Sequence, residues 1–315
     1  MDTVISWLGI PLGAVMRVAY GLCRNYGVAV LLFTLVSKII LLPIGIWVHK
    51  NSIKVIRIQP EINLLKVRFF GDSDSLAEET SKLYKREKYN PLASLLPLAV
   101  QLILLMGLVD VIYHPLTYLL QLPADTLNQL YALTATLNPA ADPAASNIQI
   151  RVLEAVRNAE WLPQFAALQI TPASGTLDEL LQSIATLNTS FLGVDLCGIP
   201  SEQLSVLWYV PVIAGFAAWL LCWSQNRANV LQSEQGALNK YGTMALSVGL
   251  SLYLGFFVPV GLAVYWTASN LFAILQLLLL NACINPKKYV DYQALEESRA
   301  KLAEVNNLGT SYSKE

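Results

Sequence analysis

A single lysine lies about halfway along an apolar stretch that is long enough to cross a lipid bilayer. The stretch extends from Tyr26 to Val48, and Lys38 has no acidic residue near it in the sequence. A helix rises about 1.5 Å per residue, which places the lysine near the middle of a hydrocarbon layer roughly 30 Å thick. A lysine at that depth costs about 2.5 to 3.5 kcal/mol on insertion scales, so its ammonium group is expected to face water or a partner. The sequence therefore predicts a polar cavity inside the membrane.

Polar side chains on three apolar stretches could line that cavity. Residues three and four positions apart share a helix face, so two hydroxyl groups of the first stretch lie beside Lys38. The second stretch contributes an amide, and the third contributes one broad face. The candidate residues are Thr34, Ser37, Lys38, Gln101, Trp266, Ser269, Asn270 and Gln276. If these faces converge, Lys38, Gln101 and Asn270 supply the polarity of a hydrated groove.

Each candidate also has an ordinary structural interpretation. Hydroxyl groups in membrane helices often bond to their own helix, and this interpretation is slightly favoured for Thr34, Ser37 and Ser269. Asparagine and glutamine commonly join helices, and a tryptophan more often packs than binds a substrate. For Lys38 the alternative is snorkelling to the surface, which its distance from water disfavours.

The composition is that of an integral membrane protein. Of the 315 residues, 55% are hydrophobic and 14% are charged, and the mean hydropathy is +0.48. Soluble domains carry about 25% charged residues. The net charge of -1 indicates neither nucleic acid nor an acidic ligand as a partner. The four cysteines show no metal-type spacing, and we predict neither a metal nor another cofactor.

Five segments are long and apolar enough to span the membrane, which predicts an all-α polytopic fold around the groove. They comprise residues 25–48, 91–113, 205–224, 241–258 and 260–283. The segment between the first two is basic and the segment between the next two is mostly acidic, so the positive-inside rule places the former in the cytoplasm. The remaining parts are an outer insertion (114–204), a cytoplasmic loop (225–240) and a cytoplasmic tail (284–315). The N-terminus is predicted to lie outside and the C-terminus inside.

Residues 1–24 are predicted to form an amphipathic helix on the outer surface. Gly9, Pro11 and Gly13 are expected to interrupt any spanning helix in this segment. In the outer insertion, helices are expected around residues 149–165 and 176–187. The insertion could cap the groove or bind a partner, and the sequence does not decide between the two.

Residues 49–90 are predicted to form a charged helical hairpin. Pro60 marks a kink or a helix start, and residues 71–74 make the turn. Ser75 and Glu78 then have the spacing of a capping box. Such a hairpin is either a solvated connector or a docking arm for cytoplasmic partners.

Three blocks of sequence resemble the YidC/Oxa1/Alb3 family of membrane insertases. The first contains YGVA from Tyr26, LFTLVSK ending at Lys38, and LLP ending at Pro43. The second contains QPEI, LYK, NPL and LPL between residues 59 and 98, followed by Gln101. The third contains PVGLAVYW and SNLF between residues 259 and 272, followed by Gln276. The resemblance covers roughly residues 20–115 and 190–290 and is to the five-span type of Gram-positive bacteria.

The resemblance implies an insertase of the bacterial plasma membrane that moves short polar segments across the bilayer and releases apolar helices sideways into lipid. Lys38 stands where the family usually has an arginine, which keeps the positive charge but loses the planar fork of donors. The positions that correspond to substrate-contacting sites of the family are Thr34, Leu102, Leu105 and Trp266. The expected contact residues of the hairpin are Gln59, Pro60, Glu61, Lys82, Lys85, Arg86 and Lys88.

The partners implied by the resemblance are nascent membrane proteins, the lipid bilayer and the Sec translocon. The tail from residue 285 onward has balanced charges, so contact with a ribosome is expected through the basic hairpin rather than through the tail. No specific nucleic acid is predicted as a partner.

A second function class, a small-solute transporter or channel, would use the same polar cavity. Such proteins more often show internal repeats or several broken spans, and we detect no repeat in this sequence. An enzyme is not predicted, since His49 and His114 lie near span ends and no nucleophile–base motif is present.

Overall fold

The protein is almost entirely helical in the computed structural model, which describes residues 2–170, 172, 175–202, 206–231 and 237–312. Strands β1 (Ser190–Phe191) and β2 (Val194–Asp195) form a short antiparallel hairpin in which Phe191 pairs with Val194. The helices are α1 (Asp2–Cys23), α2 (Tyr26–Arg68), α3 (Ser73–Arg86), α4 (Leu96–Tyr113), α5 (Pro115–Tyr118), α6 (Ala124–Leu137), α7 (Ile148–Arg157), α8 (Leu162–Ala166), α9 (Leu177–Ala185), α10 (Tyr209–Ala228), α11 (Ala237–Phe257), α12 (Val260–Cys283) and α13 (Tyr292–Tyr312).

The chain divides into two compact units. The first comprises residues 1–39, 100–222 and 244–272, and the second comprises residues 40–99, 223–243 and 273–315. Helices α2, α11 and α12 each contribute residues to both units. All the candidate groove residues except Gln276 belong to the first unit, and all the candidate hairpin contacts belong to the second.

Three helical segments are long and apolar enough to cross a membrane by length and composition. They are Tyr26–Arg68, Val206–Ala228 and Val260–Cys283. The predicted spans 91–113 and 241–258 coincide with shorter apolar helices, Ala99–Tyr113 and Tyr241–Phe257. Residue 205, the predicted start of the third span, lies outside the described residues. The count of five spans therefore stays a prediction.

One apolar core holds the first unit together. It combines side chains of α1, α2, α4 and α12 with side chains of the insertion. Phe33 of α2 contacts Tyr265 of α12, with ring centroids 6.4 Å apart. Leu108 and Ile112 of α4 are completely buried in the same core. The core thus packs together the three helices that carry most of the candidate groove residues.

The insertion is folded around α7, whose apolar side chains are buried along most of its length. Helices α6, α8 and α9 each contact α7, and α9 begins with a capping box between Thr176 and Glu179. The single helix expected around 149–165 is two helices, α7 and α8, because the backbone turns at residues 158–161. Helix α6 was not predicted, although Leu127 and Leu130 on its buried face have helical spacing.

Helix α1 runs without a break through Pro11, so the expected interruption is wrong. The two glycines beside the proline are packing positions. A side-chain carbon at Gly13 would overlap the ring of Tyr118, and one at Gly9 would overlap its hydroxyl group. This close approach of α1 to α5 offsets the hydrogen bond that a proline removes from a helix interior. A surface position for α1 stays a prediction.

The predicted boundary between the first span and the hairpin stays a prediction, and no break in the helix marks it, because α2 continues from Tyr26 to Arg68 with Pro43 and Pro60 inside it. Pro60 is therefore not a helix start. The chain turns at residues 69–72 and returns as α3, which places the buried Leu83 against Ile58 and Ile62.

Helix α3 is capped by Asp72 and not by the predicted Ser75–Glu78 box. The Asp72 carboxylate accepts a hydrogen bond of 3.1 Å from the backbone N–H of Ser75. This bond holds the pKa of the Asp72 carboxyl below its ordinary value. Aspartate is as good an N-cap as serine and also interacts favourably with the positive end of the helix dipole, so the earlier residue starts the helix.

The C-terminal helix α13 packs on α2 through a buried polar chain. Gln59 donates to the Asn63 side chain at 3.0 Å, and Asn63 donates to the Ser298 hydroxyl at 3.3 Å. Asn63 is completely buried, and Ile56 and Leu295 form an apolar contact nearby. The charge-balanced tail is thus partly a structural element of the second unit.

We expect Gly13→Ala to lower the stability of the protein by about 1 to 3 kcal/mol, because the added methyl group must displace the Tyr118 ring. Gly21→Ala is the matched control, since nothing lies within 4 Å of that position and alanine is the better helix former. Thermal unfolding in detergent measures the difference. Equal midpoints for the two variants would contradict the packing of Tyr118 against α1.

Asn63→Ala should loosen α13, because the change leaves the Gln59 amide and the Ser298 hydroxyl without their buried partner at a cost of about 1 to 3 kcal/mol. Hydrogen exchange over residues 292–307 should become faster. The control is Gln293→Ala, which removes only an exposed bond within α13. Unchanged exchange in Asn63→Ala would show that the polar chain does not hold the helix.

Candidate functional site

Lys38 lies on the side of α2 that faces the rest of the first unit. Thr34, one turn earlier on the same face, is completely buried, and Lys38 itself is half-buried. Ile39 and Ile40, about 100° and 200° further round the helix, are 60% and 67% exposed. The Lys38 side chain therefore leaves the helix closer to the buried face of Thr34 than to the face of Ile40.

The candidate hydroxyl groups differ in their hydrogen bonds. Thr34 donates to the carbonyl oxygen of Val30 at 2.7 Å and therefore bonds back to its own helix. Ser269 of α12 is 1% exposed, and its hydroxyl makes no hydrogen bond of acceptable geometry, although the Tyr265 hydroxyl is close enough to interact with it. Ser37 is half-buried. The structure thus places Thr34 and Ser269 inside the protein rather than on an open surface.

Three polar side chains in these helices are partly exposed and unpaired. Within the part of the chain that the structure describes, Lys38, Gln101 and Asn270 make neither a hydrogen bond nor an ion pair. Each is half-buried, and each belongs to a different helix of the first unit. A polar group in this position must be solvated, because leaving it unpaired in hydrocarbon costs several kcal/mol.

The positions that resemble substrate contacts form an apolar border. Leu102 of α4 is 51% exposed. Leu105, three residues later on the same helix, is half-buried and packs against the core. Trp266 of α12 is half-buried and also packs on the core. An apolar segment could therefore lie against Leu102 while the partly covered side chains give the surface its shape.

Gln276 is placed apart from the other groove candidates. It belongs to the second unit, where its amide lies against the backbone of Gly45 on α2. A side-chain carbon at Gly45 would overlap that amide nitrogen. Gln276 is therefore best understood, in its own unit, as a contact between α12 and α2.

The candidate contact residues of the hairpin differ in how available they are to a partner. Gln59 is buried and bonded to Asn63, so it supports the hairpin from within. The Lys82 ammonium lies 2.8 Å from both Glu78 and Glu79, and Arg86 pairs with Glu61 at 2.5 Å. The hydrogen bonds that the Lys82 ammonium donates to Glu78 and Glu79 raise the pKa of Lys82 above its ordinary value. Lys85 and Lys88 are exposed and form no ion pair with a described residue, which leaves their charges available to a partner.

A segment of the insertion caps the N-terminal ends of the two helices on either side of the groove. The carbonyl oxygen of Asn188 accepts from the backbone N–H of Tyr26 at 3.0 Å, at the start of α2. The carbonyl oxygens of Gly198 and Leu196 accept from Val260 and Gly261 at 2.9 and 2.8 Å, at the start of α12. Residues 188–198 therefore fix the positions at which both helices begin.

Arg157 holds this capping segment in shape. Its guanidinium donates to the carbonyl oxygens of Ala185 and Leu187 and to the Thr189 hydroxyl, and it lies 3.6 Å from an Asp195 oxygen. The planar fork of arginine suits such divergent acceptors, which a lysine could not reach together. Sequence reasoning missed this role, although Arg157 is one of only two basic residues in the insertion.

No cluster of metal-binding side chains is present among the described residues. The candidate residues instead supply one cation, two amides and several apolar side chains, carried on helices α2, α4 and α12. Such groups are suited to holding water and contacting apolar chain segments.

The fold and the site define an all-α polytopic membrane protein with a polar face inside its membrane segment. A family model described as the 60Kd inner membrane protein matches residues 18–288. The chain belongs to this family, which confirms the resemblance drawn from the three sequence blocks.

Relatives of known name agree with the family match. The chain is 28% identical over 288 residues to Membrane protein insertase YidC 1 of Streptococcus pyogenes serotype M6, with 89% of this chain and 75% of that protein covered. It is 31% identical over 118 residues to Membrane protein insertase YidC of Syntrophus aciditrophicus, with 38% and 21% covered. It is 40% identical over 84 residues to the protein of that name from Clostridium tetani, with 27% and 38% covered. The matched part is thus about a fifth of the Syntrophus protein.

Arg157→Ala should release residues 185–198 and make them sensitive to protease, because three acceptors and a carboxylate lose their shared donor. We expect a loss of about 1.5 to 3 kcal/mol in stability, and Arg157→Lys should restore little of it. Arg151→Ala is the control, since Arg151 pairs only with the partly exposed Glu154 and Glu202. Equal protease sensitivity of the two alanine variants would contradict the role assigned to Arg157.

Proposed function

We propose that the protein is a membrane protein insertase, which inserts and folds nascent membrane proteins through a hydrated groove. The observation that carries this proposal is the unpaired cation on the core-facing side of a membrane helix. Two other helices of the first unit also carry unpaired amides, Gln101 and Asn270, and Leu102 is exposed on the helix of Gln101. The names of the relatives support the same function.

The mechanism follows from water and charge. Water around Lys38, Gln101 and Asn270 shortens the hydrocarbon path that a polar segment of a client must cross, which lowers the largest free-energy cost of translocation. The ammonium group attracts acidic side chains of that segment. The apolar helix that follows contacts Leu102, Leu105 and Trp266 and leaves sideways into lipid.

The orientation in the membrane is part of the proposal. The basic hairpin of α2 and α3 lies in the cytoplasm, and the insertion of α5 to α9 lies outside, with the N-terminus outside and the C-terminus inside. The membrane is the bacterial plasma membrane, as the organisms of the relatives suggest. The exposed charges of Lys85 and Lys88 provide contact with the ribosome, and the Sec translocon is a further partner.

We expect an insertase-depleted bacterium to be rescued by the wild-type protein and by Lys38→Arg, but not by Lys38→Ala or Lys38→Glu. The reason is that arginine keeps a charge that attracts acidic client segments, whereas alanine removes it and glutamate reverses it. Growth and the protease-protected fraction of a single-span client measure rescue, with expression levels compared in parallel.

A matched control moves the charge around the helix. Lys38→Ala combined with Ile39→Lys keeps one lysine in the span but places it on the lipid-facing side, so it should fail to rescue. Rescue by this double variant, or equal rescue by all the Lys38 variants, would show that a charge facing the core is not required. Failure of the well-expressed wild type, together with uptake of radiolabelled small solutes, would favour a transporter.

A further inference from the structure

A pocket of about 560 Å³ lies at the C-terminal end of α4, within the first unit and apart from the groove residues. Asp110, Tyr113, His114 and Tyr131 contribute its polar groups, and Met106 and Ile148 are among its apolar walls. No lysine or arginine lines it. His114 is therefore the one basic side chain among the described residues of the lining, and it lies beside the Asp110 carboxylate.

The hydrogen bonds around Asp110 make the pocket rich in acceptors. His114 Nδ1 lies 2.8 Å from a carboxylate oxygen of Asp110 and 2.9 Å from the carbonyl oxygen of the same residue, so this nitrogen carries the proton. Tyr118 donates to the second carboxylate oxygen. Burial and the Asp110 carboxylate raise the pKa of Tyr118 well above its ordinary value, so its hydroxyl keeps that proton.

The second side of the pocket is fixed by the insertion. Gln149 is 1% exposed, and its amide donates to the Tyr131 hydroxyl at 2.8 Å and to the Thr117 hydroxyl at 2.7 Å. The Gln149 carbonyl oxygen accepts from the backbone N–H groups of Leu116 and Thr117. The Tyr131 side chain of the lining is thus held in place by a buried amide that is itself fully hydrogen-bonded.

The geometry points to this pocket as a binding site for a protonated primary amine, carried on the translocated segment of a client as a lysine side chain or an amino terminus. An ammonium group has three donors and no acceptor, which complements the carboxylate and the hydroxyl oxygens of Tyr113 and Tyr131. The bordering tyrosine rings add a surface that favours cations. This inference rests on the proposed function and names a feature of its substrates.

The position of the pocket favours a client as the source of the amine. Leu102, Met106 and Asp110 follow one another at four-residue spacing, so they form one stripe along α4. Leu102 and Met106 are 51% and 41% exposed. An apolar segment lying on this stripe would bring the residues at its end to Asp110. The pocket would bind a client segment after that segment has passed the groove. It would favour positively charged residues of the client, whereas Lys38 favours acidic ones.

The test uses the full chain in proteoliposomes, with a photocrosslinking amino acid in place of Ala144, an exposed residue of the pocket lining. Three versions of a single-span client carry Lys, Gln or Glu at one position of the translocated segment. We expect the Lys client to crosslink about tenfold more than the Gln client, because a hydrogen bond between charged groups contributes at least that factor. Asp110→Asn, which keeps the shape and an acceptor for Tyr118, should abolish the difference.

A second pair of variants keeps the test independent of Asp110 itself. Met106→Lys places an ammonium group one turn before Asp110 and should occupy the pocket from within the chain, whereas Met106→Gln should leave the preference for lysine intact. Equal crosslinking of the Lys and Gln clients to the wild type would overturn the proposal. A preference for lysine that survives in both Asp110→Asn and Met106→Lys would overturn it as well.

Two further readouts separate the alternatives. Protease protection of the client measures insertion in the same vesicles, so that absent insertion refutes the proposed function, while normal insertion without a preference for lysine refutes only the pocket. In parallel, fluorine NMR of 4-fluorobenzylammonium, with 4-fluorobenzyl alcohol as the neutral control, measures binding of a free amine. Selective broadening of the ammonium signal together with a client preference for lysine supports the site, and broadening without that preference would overturn the assignment to a client.

Discussion

A charge inside a membrane must be solvated or paired, and the organisation of this protein depends on how it meets that requirement for Lys38. The structure provides no partner for Lys38 within the described residues, and α2 directs it away from the lipid face. Water is then the remaining means of stabilising the ammonium group. Apolar packing accordingly lies on one side of the lysine, where Phe33 and Thr34 are buried.

That packing is concentrated toward the insertion. Residues 188–198 cap the N-terminal ends of α2 and α12. Within two turns of those ends, Phe33 of α2 contacts Tyr265 of α12. Arg157 fixes the capping segment, and Gly27 allows the ring of Phe191 to lie directly on the α2 backbone. The insertion, whose sequence gave no functional hint, therefore holds the helices that carry the polar face. Its structural contribution also creates the pocket beside Asp110.

Sequence reasoning succeeded where a periodic pattern or a local charge determines the structure. The faces of α2, α4 and α12 followed from helical spacing, and Lys38 stood out because its type conflicts with its surroundings. It failed where two local signals compete. Pro60 and Pro43 normally end or bend a helix, yet tertiary contacts carry α2 through both. Asp72 and Ser75 are both good caps, and only the position of the turn selects Asp72.

Contacts between distant parts of the chain were beyond the sequence for a different reason. Arg157 acts on carbonyl groups some thirty residues away, and carbonyl groups carry no residue-specific signal. The pairing of Gln276 with Gly45 likewise depends on the fold, since the same glutamine has suitable spacing for the groove. Polar residues on membrane helices can thus be recognised from sequence, whereas the surface to which each belongs requires coordinates.

Helix α2 is 43 residues long and passes from the membrane segment into the hairpin as one element. At about 1.5 Å per residue its axial length is on the order of 65 Å. Pro43 and Pro60 each remove a backbone hydrogen bond from its interior. The helix therefore has two weak points, and bending is expected at these prolines rather than elsewhere along its length.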